Sequence, residues 1–129
     1  MNNMILRRLM LATVLLLATA IPGEAAKTTR TSFDGSWSVL IITDAGNCDR
    51  TYRYGLRIAG GQLYYEGGTD VVMSGRVTPK GYVSVWLRRG DALAQGTGRL
   101  SRSSGAGRWQ GASANLACSG RWQAERYPS

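Results

Sequence analysis

The segment Asn47-Cys48-Asp49-Arg50-Thr51-Tyr52-Arg53-Tyr54-Gly55-Leu56-Arg57-Ile58 holds one of the chain's two cysteines and its cleanest strand pattern. Tyr52, Tyr54, Leu56 and Ile58 alternate with Thr51, Arg53, Gly55 and Arg57. Successive side chains of a strand point to opposite faces, so the alternation reads as a half-buried β-strand, apolar inside and basic outside.

Before that segment, Phe33-Asp34-Gly35 opens the ordered region with a turn, and Ser36 to Thr43 forms the preceding strand. Trp37, Val39 and Ile41 share one face of that strand with Leu40 and Ile42 on the other, which predicts cover on both sides. Beyond Ile58, Gly60-Gly61 is a hairpin turn, followed by a short strand over Gln62 to Glu66 and a break at Gly67-Gly68. Val71 to Val77 resumes the extended pattern, and Thr78-Pro79-Lys80-Gly81 turns it, proline pre-setting φ. Tyr82 to Arg88 alternates Val83, Val85 and Leu87 with Tyr82, Ser84, Trp86 and Arg88, either set being eligible for the interior. Ala92 to Leu100 is a strand of small residues, Ser101 to Gly105 a loop, and Gly107 to Ala112 and Cys118 to Arg126 are the last strands, with a loop from Ser113 to Leu116 between them. No helical period is present from residue 33 onward. The expectation is an all-β, antiparallel up-and-down meander of about eight strands over residues 33–129.

The tripeptides Gly75-Arg76-Val77, Gly98-Arg99-Leu100, Gly107-Arg108-Trp109 and Gly120-Arg121-Trp122 repeat one strand solution. Glycine and the bulky residue share a face, and the arginine takes the other. Each copy sets one ring or branched chain and one gap inside, as a tapering barrel interior requires, and one cation outside.

The amino-terminal residues carry Arg7 and Arg8, an apolar run from Leu9 to Ile21 and the small residues of Pro22-Gly23-Glu24-Ala25-Ala26. This is the pattern of a secretory signal peptide over residues 1–25, the run being short of the about 20 residues that span a bilayer. Residues 26–32 read as a flexible lead-in. The formal charge of the chain is +8, nearly all of it arginine, with Lys27 and Lys80 the only lysines. Such a chain, exported to the periplasm or beyond, is drawn to anionic surfaces. It carries no specific nucleic-acid motif and no membrane span once the signal is removed.

Cys48 and Cys118 are the only cysteines, and an exported chain meets an oxidising compartment, so they are expected to form a disulfide. Closing so long a loop contributes roughly 4 kcal/mol on the chain-entropy account. In an eight-strand meander, barrel closure makes the first and last strands neighbours. Cys48 follows the first strand and Cys118 begins the last, so a closed or nearly closed barrel brings them together, whereas an open sheet leaves both strands as edges. A sandwich is the competing arrangement.

Phe33-Asp34-Gly35-Ser36-Trp37, Gly46-Asn47-Cys48 and the run Cys118 to Arg126 resemble a group of small exported bacterial proteins with one paired cysteine set and no assigned activity. More loosely, Gly35-Ser36-Trp37 is similar to the opening of lipocalin and avidin barrels and of small exported inhibitors of bacterial metalloproteases. The resemblance implies a barrel whose first-strand tryptophan plugs one end. It brings no functional residues.

Catalysis has little support. Histidine is absent, the serines lack an activating partner, and the acids Asp34, Asp44, Asp49, Glu66, Asp70, Asp91 and Glu125 are scattered through turns and strand ends. No metal site and no cofactor are expected. Arg89-Gly90-Asp91 spells an adhesion tripeptide, but glycine and aspartate are also what a tight hairpin demands. Two binding sites compete. Trp37, Tyr52, Tyr54, Trp109 and Trp122 either fill the lumen as core, the expectation for a small barrel, or line a pocket for a small ligand. Arg53, Arg57, Arg99, Arg108 and Arg121 are either solvated strand-face charge or a basic wall for an anionic envelope component or an acidic protein. A third reading, inhibition of a secreted or envelope protease, would use the lead-in.

Overall fold

A computed structural model describes residues 32–128. The signal-peptide reading of residues 1–25 and most of the lead-in lie outside the described residues. Eight strands follow one another: β1 (Gly35–Ala45), β2 (Thr51–Ala59), β3 (Gln62–Tyr65), β4 (Val72–Val77), β5 (Tyr82–Arg89), β6 (Ala92–Leu100), β7 (Ser104–Ser113) and β8 (Leu116–Arg126). Each pairs antiparallel with the next, and β8 returns to β1, closing the barrel.

The closing seam sets Trp37 opposite Arg126 and Ile41 opposite Trp122, and its register shifts at Asp44. Beside this seam Cys48 and Cys118 are bonded, their Cα atoms 6.1 Å apart and 70 residues apart in sequence. The bond is consistent with an exported protein. The seam at β3 and β4 is the thinnest: Gln62 opposite Arg76 is its single ladder pair.

One face of each strand lines the interior. On β5 that face is Val83, Val85 and Leu87, while Tyr82 and Trp86 point outward and are about half exposed. The expected double cover of β1 is not found. A single-walled barrel has one interior, so Trp37 and Val39 are buried inside, and Leu40 and Ile42 lie half-buried on the outer wall. There Leu40 sits between Arg53 and Gln123, and Ile42 between Thr51 and Arg121. Their apolar character reflects neighbours with long stems rather than a second layer. The two loops expected near the carboxyl terminus are shorter than expected, because β7 begins at Ser104 and β8 at Leu116, leaving only Ala114 and Asn115 between β7 and β8.

The buried cluster, Phe33, Trp37, Val39, Leu56, Ile58, Leu63, Val77, Val83, Leu100, Trp122 and Ala124, gathers toward the end that holds the Gly60-Gly61 turn. The repeat explains the wall beside it. On β7 and β8, Gly107 faces Trp122, Arg108 faces Arg121, and Trp109 faces Gly120, so the two Gly-Arg-Trp copies interlock head to tail. The Trp122 indole lies across Gly107 and Gly98 and donates from Nε1 to the Thr97 carbonyl at 3.0 Å. Trp109 crosses to β1 and donates to the Ile42 carbonyl at 3.0 Å. A methyl group at Gly107 would stand 2.0 Å from the Thr97 carbonyl and 2.6 Å from the Trp122 ring. Gly107→Ala is therefore expected to cost about 2 kcal/mol in urea unfolding and to shift Trp122 emission, whereas Gly90→Ala, which meets nothing within 4 Å, leaves the emission unchanged.

Candidate functional site

The barrel is plugged at one end and open at the other. At the plugged end Trp37, only 1% exposed, donates from its indole to the Phe33 carbonyl at 2.9 Å. Arg126 closes over it, its guanidinium 5.5 Å from the ring. The same guanidinium donates to the carbonyls of Ser32 and Arg102 at 2.9 and 3.0 Å and to that of Asp34. The Asp34 carboxylate in turn accepts from Gly60 and Gly61, fastening the adjoining turn. One cation thus ties the first strand's entry, the β6–β7 loop and the end of β8 together.

Above this plug the interior is hollow. A cavity of about 310 Å³ opens at the other end, with walls that are almost wholly apolar. All five ring residues proposed for a pocket, Trp37, Tyr52, Tyr54, Trp109 and Trp122, line it. They divide the two expected roles: Trp37 and Trp122 belong to the buried core, while Tyr54 and Trp109 are only partly buried against it and Tyr52 is 49% exposed at the rim. Tyr65 of β3 joins them, an alternation from Leu63 that the shortness of the strand concealed. The centroids of Tyr52 and Tyr54 are 6.2 Å apart, and those of Tyr54 and Tyr65 are 5.7 Å apart, both pairs tilted.

Polar groups are few. Burial, then the neighbouring Tyr65 and Tyr52, pushes the Tyr54 phenol above its ordinary value of 10.0. Among the described residues its hydroxyl has no hydrogen-bond partner. The Tyr65 phenol is also raised, chiefly by the adjacent Tyr52 hydroxyl and then by burial. Arg89 is the one charged side chain among the described residues lining the cavity, and its Nε lies 3.3 Å from Asp70 in an exposed pair.

The arginines occupy the outer wall, but they are neither contiguous nor all free. Arg108 and Arg121 face each other on β7 and β8, where like charges repel. Asp44, at the register shift on β1, relieves that pair by accepting from Arg121 at 2.9 and 3.1 Å. This hydrogen bond holds the Asp44 carboxyl below its ordinary value, and the charge of Arg108 adds to the effect. Arg53 donates to the Ser38 hydroxyl at 2.9 Å, and Arg99 lies 4.7 Å over the Tyr82 ring. Register puts Arg99, Ala106, Gln123, Leu40 and Arg53 in one row, so Arg99 and Arg53 are separated by about 19 Å of wall. Arg57 lies farther along β2 between Ser36 and Tyr64.

Arg89-Gly90-Asp91 forms the β5–β6 turn. Gly90 has φ of 61°, Arg89 is held by Asp70, and Asp91 accepts from the Ala114 backbone at 3.3 Å. Among the described residues, no three acid or cysteine side chains gather as a metal site, and no helix is long and apolar enough to cross a membrane. No family model, no curated protein and no solved structure matches the chain.

The raised Tyr54 phenol links to stability. The folded protein resists an ionisation that the unfolded chain permits, so stability is fully present below pH 10 and falls as the pH rises beyond it. Urea midpoints measured between about pH 9 and pH 11 should drop more steeply for the native protein than for Tyr54→Phe.

Proposed function

We propose that this is an exported binding protein, periplasmic or extracellular, that holds a small apolar molecule in the open half of its barrel without converting it. The observation that carries the reading is the cavity of about 310 Å³, apolar along its walls and rimmed by tyrosines. That volume is at the lower end of the range for small-molecule sites, which are mostly apolar with a few placed polar groups. Burying a ligand's hydrocarbon surface there contributes about 25 cal/mol per Å² before the cost of immobilising it. Export rests on the amino-terminal pattern together with the disulfide. The protease-inhibitor reading draws on residues 26–32, nearly all outside the described residues, and no feature of the barrel favours it.

Ala94 lines the cavity at its open side and is half-buried. Ala94→Trp fills that space from the wall. A panel of small apolar probes should perturb native tyrosine and tryptophan emission in a saturable way, and the filled variant should bind at least about tenfold more weakly while remaining folded. Equal binding by both proteins would place the probes elsewhere and end this reading.

A second proposal concerns the outer wall, where Arg53, Arg57, Arg99, Arg108 and Arg121 would hold the protein against an anionic envelope component. Arg108 favours it: it faces another cation, and the adjacent carboxylate bonds to Arg121 instead. Adhesion to anionic vesicles should weaken steeply as salt rises, and Arg108→Ala with Arg121→Ala should reduce it several-fold. Salt-independent adhesion would exclude this role.

A further inference from the structure

Three features of the open end bear on the chemistry of the occupant, given that the lumen is the binding site proposed above. The first is size. At roughly 30 Å³ for each water-sized group, a cavity of about 310 Å³ admits about ten non-hydrogen atoms. The second is the Tyr54 hydroxyl. A hydroxyl facing apolar walls without a partner is costly, and this one, on a half-buried ring, lies in an apolar cavity with no acceptor among the described residues. A phenol is neutral at ordinary pH and burial only reinforces that, so it presents an O–H rather than an anion.

The third is charge. The rim and its loops carry Asp44, Asp49, Glu66, Asp70 and Asp91 against Arg50, Arg88, Arg89, Arg108 and Arg121, so the signs cancel. Arg89, the charged residue that reaches the cavity, is held by Asp70, and Arg121 by Asp44. A carboxylate or an ammonium drawn into the lumen would lose its water without gaining an unpaired counter-charge.

We infer that the lumen takes a neutral molecule of about ten non-hydrogen atoms, hydrocarbon over most of its length, with one accepting oxygen that receives the Tyr54 O–H. The oxygen sits among Tyr52, Tyr54 and Tyr65, and the hydrocarbon end points toward Trp122 and the plug. Entry is from the open end, where β3 and β4 run on without ladder pairing beyond their single pair, Gln62 with Arg76, near the plug.

A matched eight-carbon set tests this on the disulfide-bonded protein: 1-octanol, octanoate, octylammonium and, as the headless control, octane, followed by tyrosine and tryptophan emission and by NMR of the lumen methyl groups. The expected order has 1-octanol at least about fivefold tighter than either charged probe. Tyr54→Phe should weaken 1-octanol about fivefold, leave octane unchanged, and leave the empty protein at least as stable as before. Tighter binding of a charged probe, undiminished 1-octanol binding by Tyr54→Phe, or an equal loss for octane and 1-octanol would overturn the inference while leaving the lumen as a binding site. If no probe binds, octane included, the lumen reading falls with it.

Discussion

Two indole rings held against the wall, one across glycines and one tied to the first strand, govern the interior of this barrel. Gly107 faces Trp122, whose ring occupies the space that a Cβ at 98 or 107 would fill, and Trp109 faces Gly120, where a Cβ would meet the Ile42 carbonyl to which that indole donates. The indole N–H groups are satisfied by backbone carbonyls of Thr97 and Ile42, so neither needs a polar group in the lumen. Rings held against the wall take up width along the sheet instead of depth across the barrel. A small barrel with aromatic residues on many strands can therefore still have space inside. Were the Trp122 ring to stand upright, as larger residues at 98 and 107 would force, the same side chain would block the middle.

The plug determines which end stays open. Trp37 is tied to Phe33, and Arg126 covers its ring while reaching the carbonyls of three segments, so the amino-terminal entry cannot swing away from the end of β8. The branched chains of Ile58, Leu63, Val77, Val83 and Leu100 fill in beneath it. At the opposite end the inward positions mix tyrosines, alanines and glycines with Ile41, Leu87 and Trp109, and Arg89 stands at the rim. They line a space and do not fill it. One chain thus builds a packed floor and a hollow upper chamber from a single alternation of inward and outward residues.

Much of this is legible in the sequence, for local reasons. The alternation from Tyr52 to Ile58 is a period-two signal that survives any tertiary context, and the Gly-Arg-Trp copies state both the gap and the ring that needs it. The cysteine pairing follows once the first and last strands are neighbours. The hollow is not legible, because it depends on how two indoles tilt, a property of the wall they lie on and not of their own positions. Arg126 is equally hidden: its partners lie 24 to 94 residues away, and it reads locally as one more basic strand end. Leu40 and Ile42 mislead for the converse reason, since apolar residues on an outer wall resemble a second core until the single layer is seen.

The disulfide lies at the end that most needs it. Side-chain packing consolidates the floor, where the buried cluster gathers, but an open chamber has no such contacts to hold its rim, and apolar surface left facing a cavity forgoes that stabilisation. Cys48 lines the chamber, and its bond to Cys118 fastens the β1–β2 loop to the start of β8 there. A covalent tie needs no filled interior, because it acts largely by restricting the unfolded chain. The arrangement therefore separates two demands that conflict in a small domain. Stability is drawn from the packed floor and from the cross-link, and the volume between them is left free for an occupant, whose binding would add stability in proportion to its own affinity.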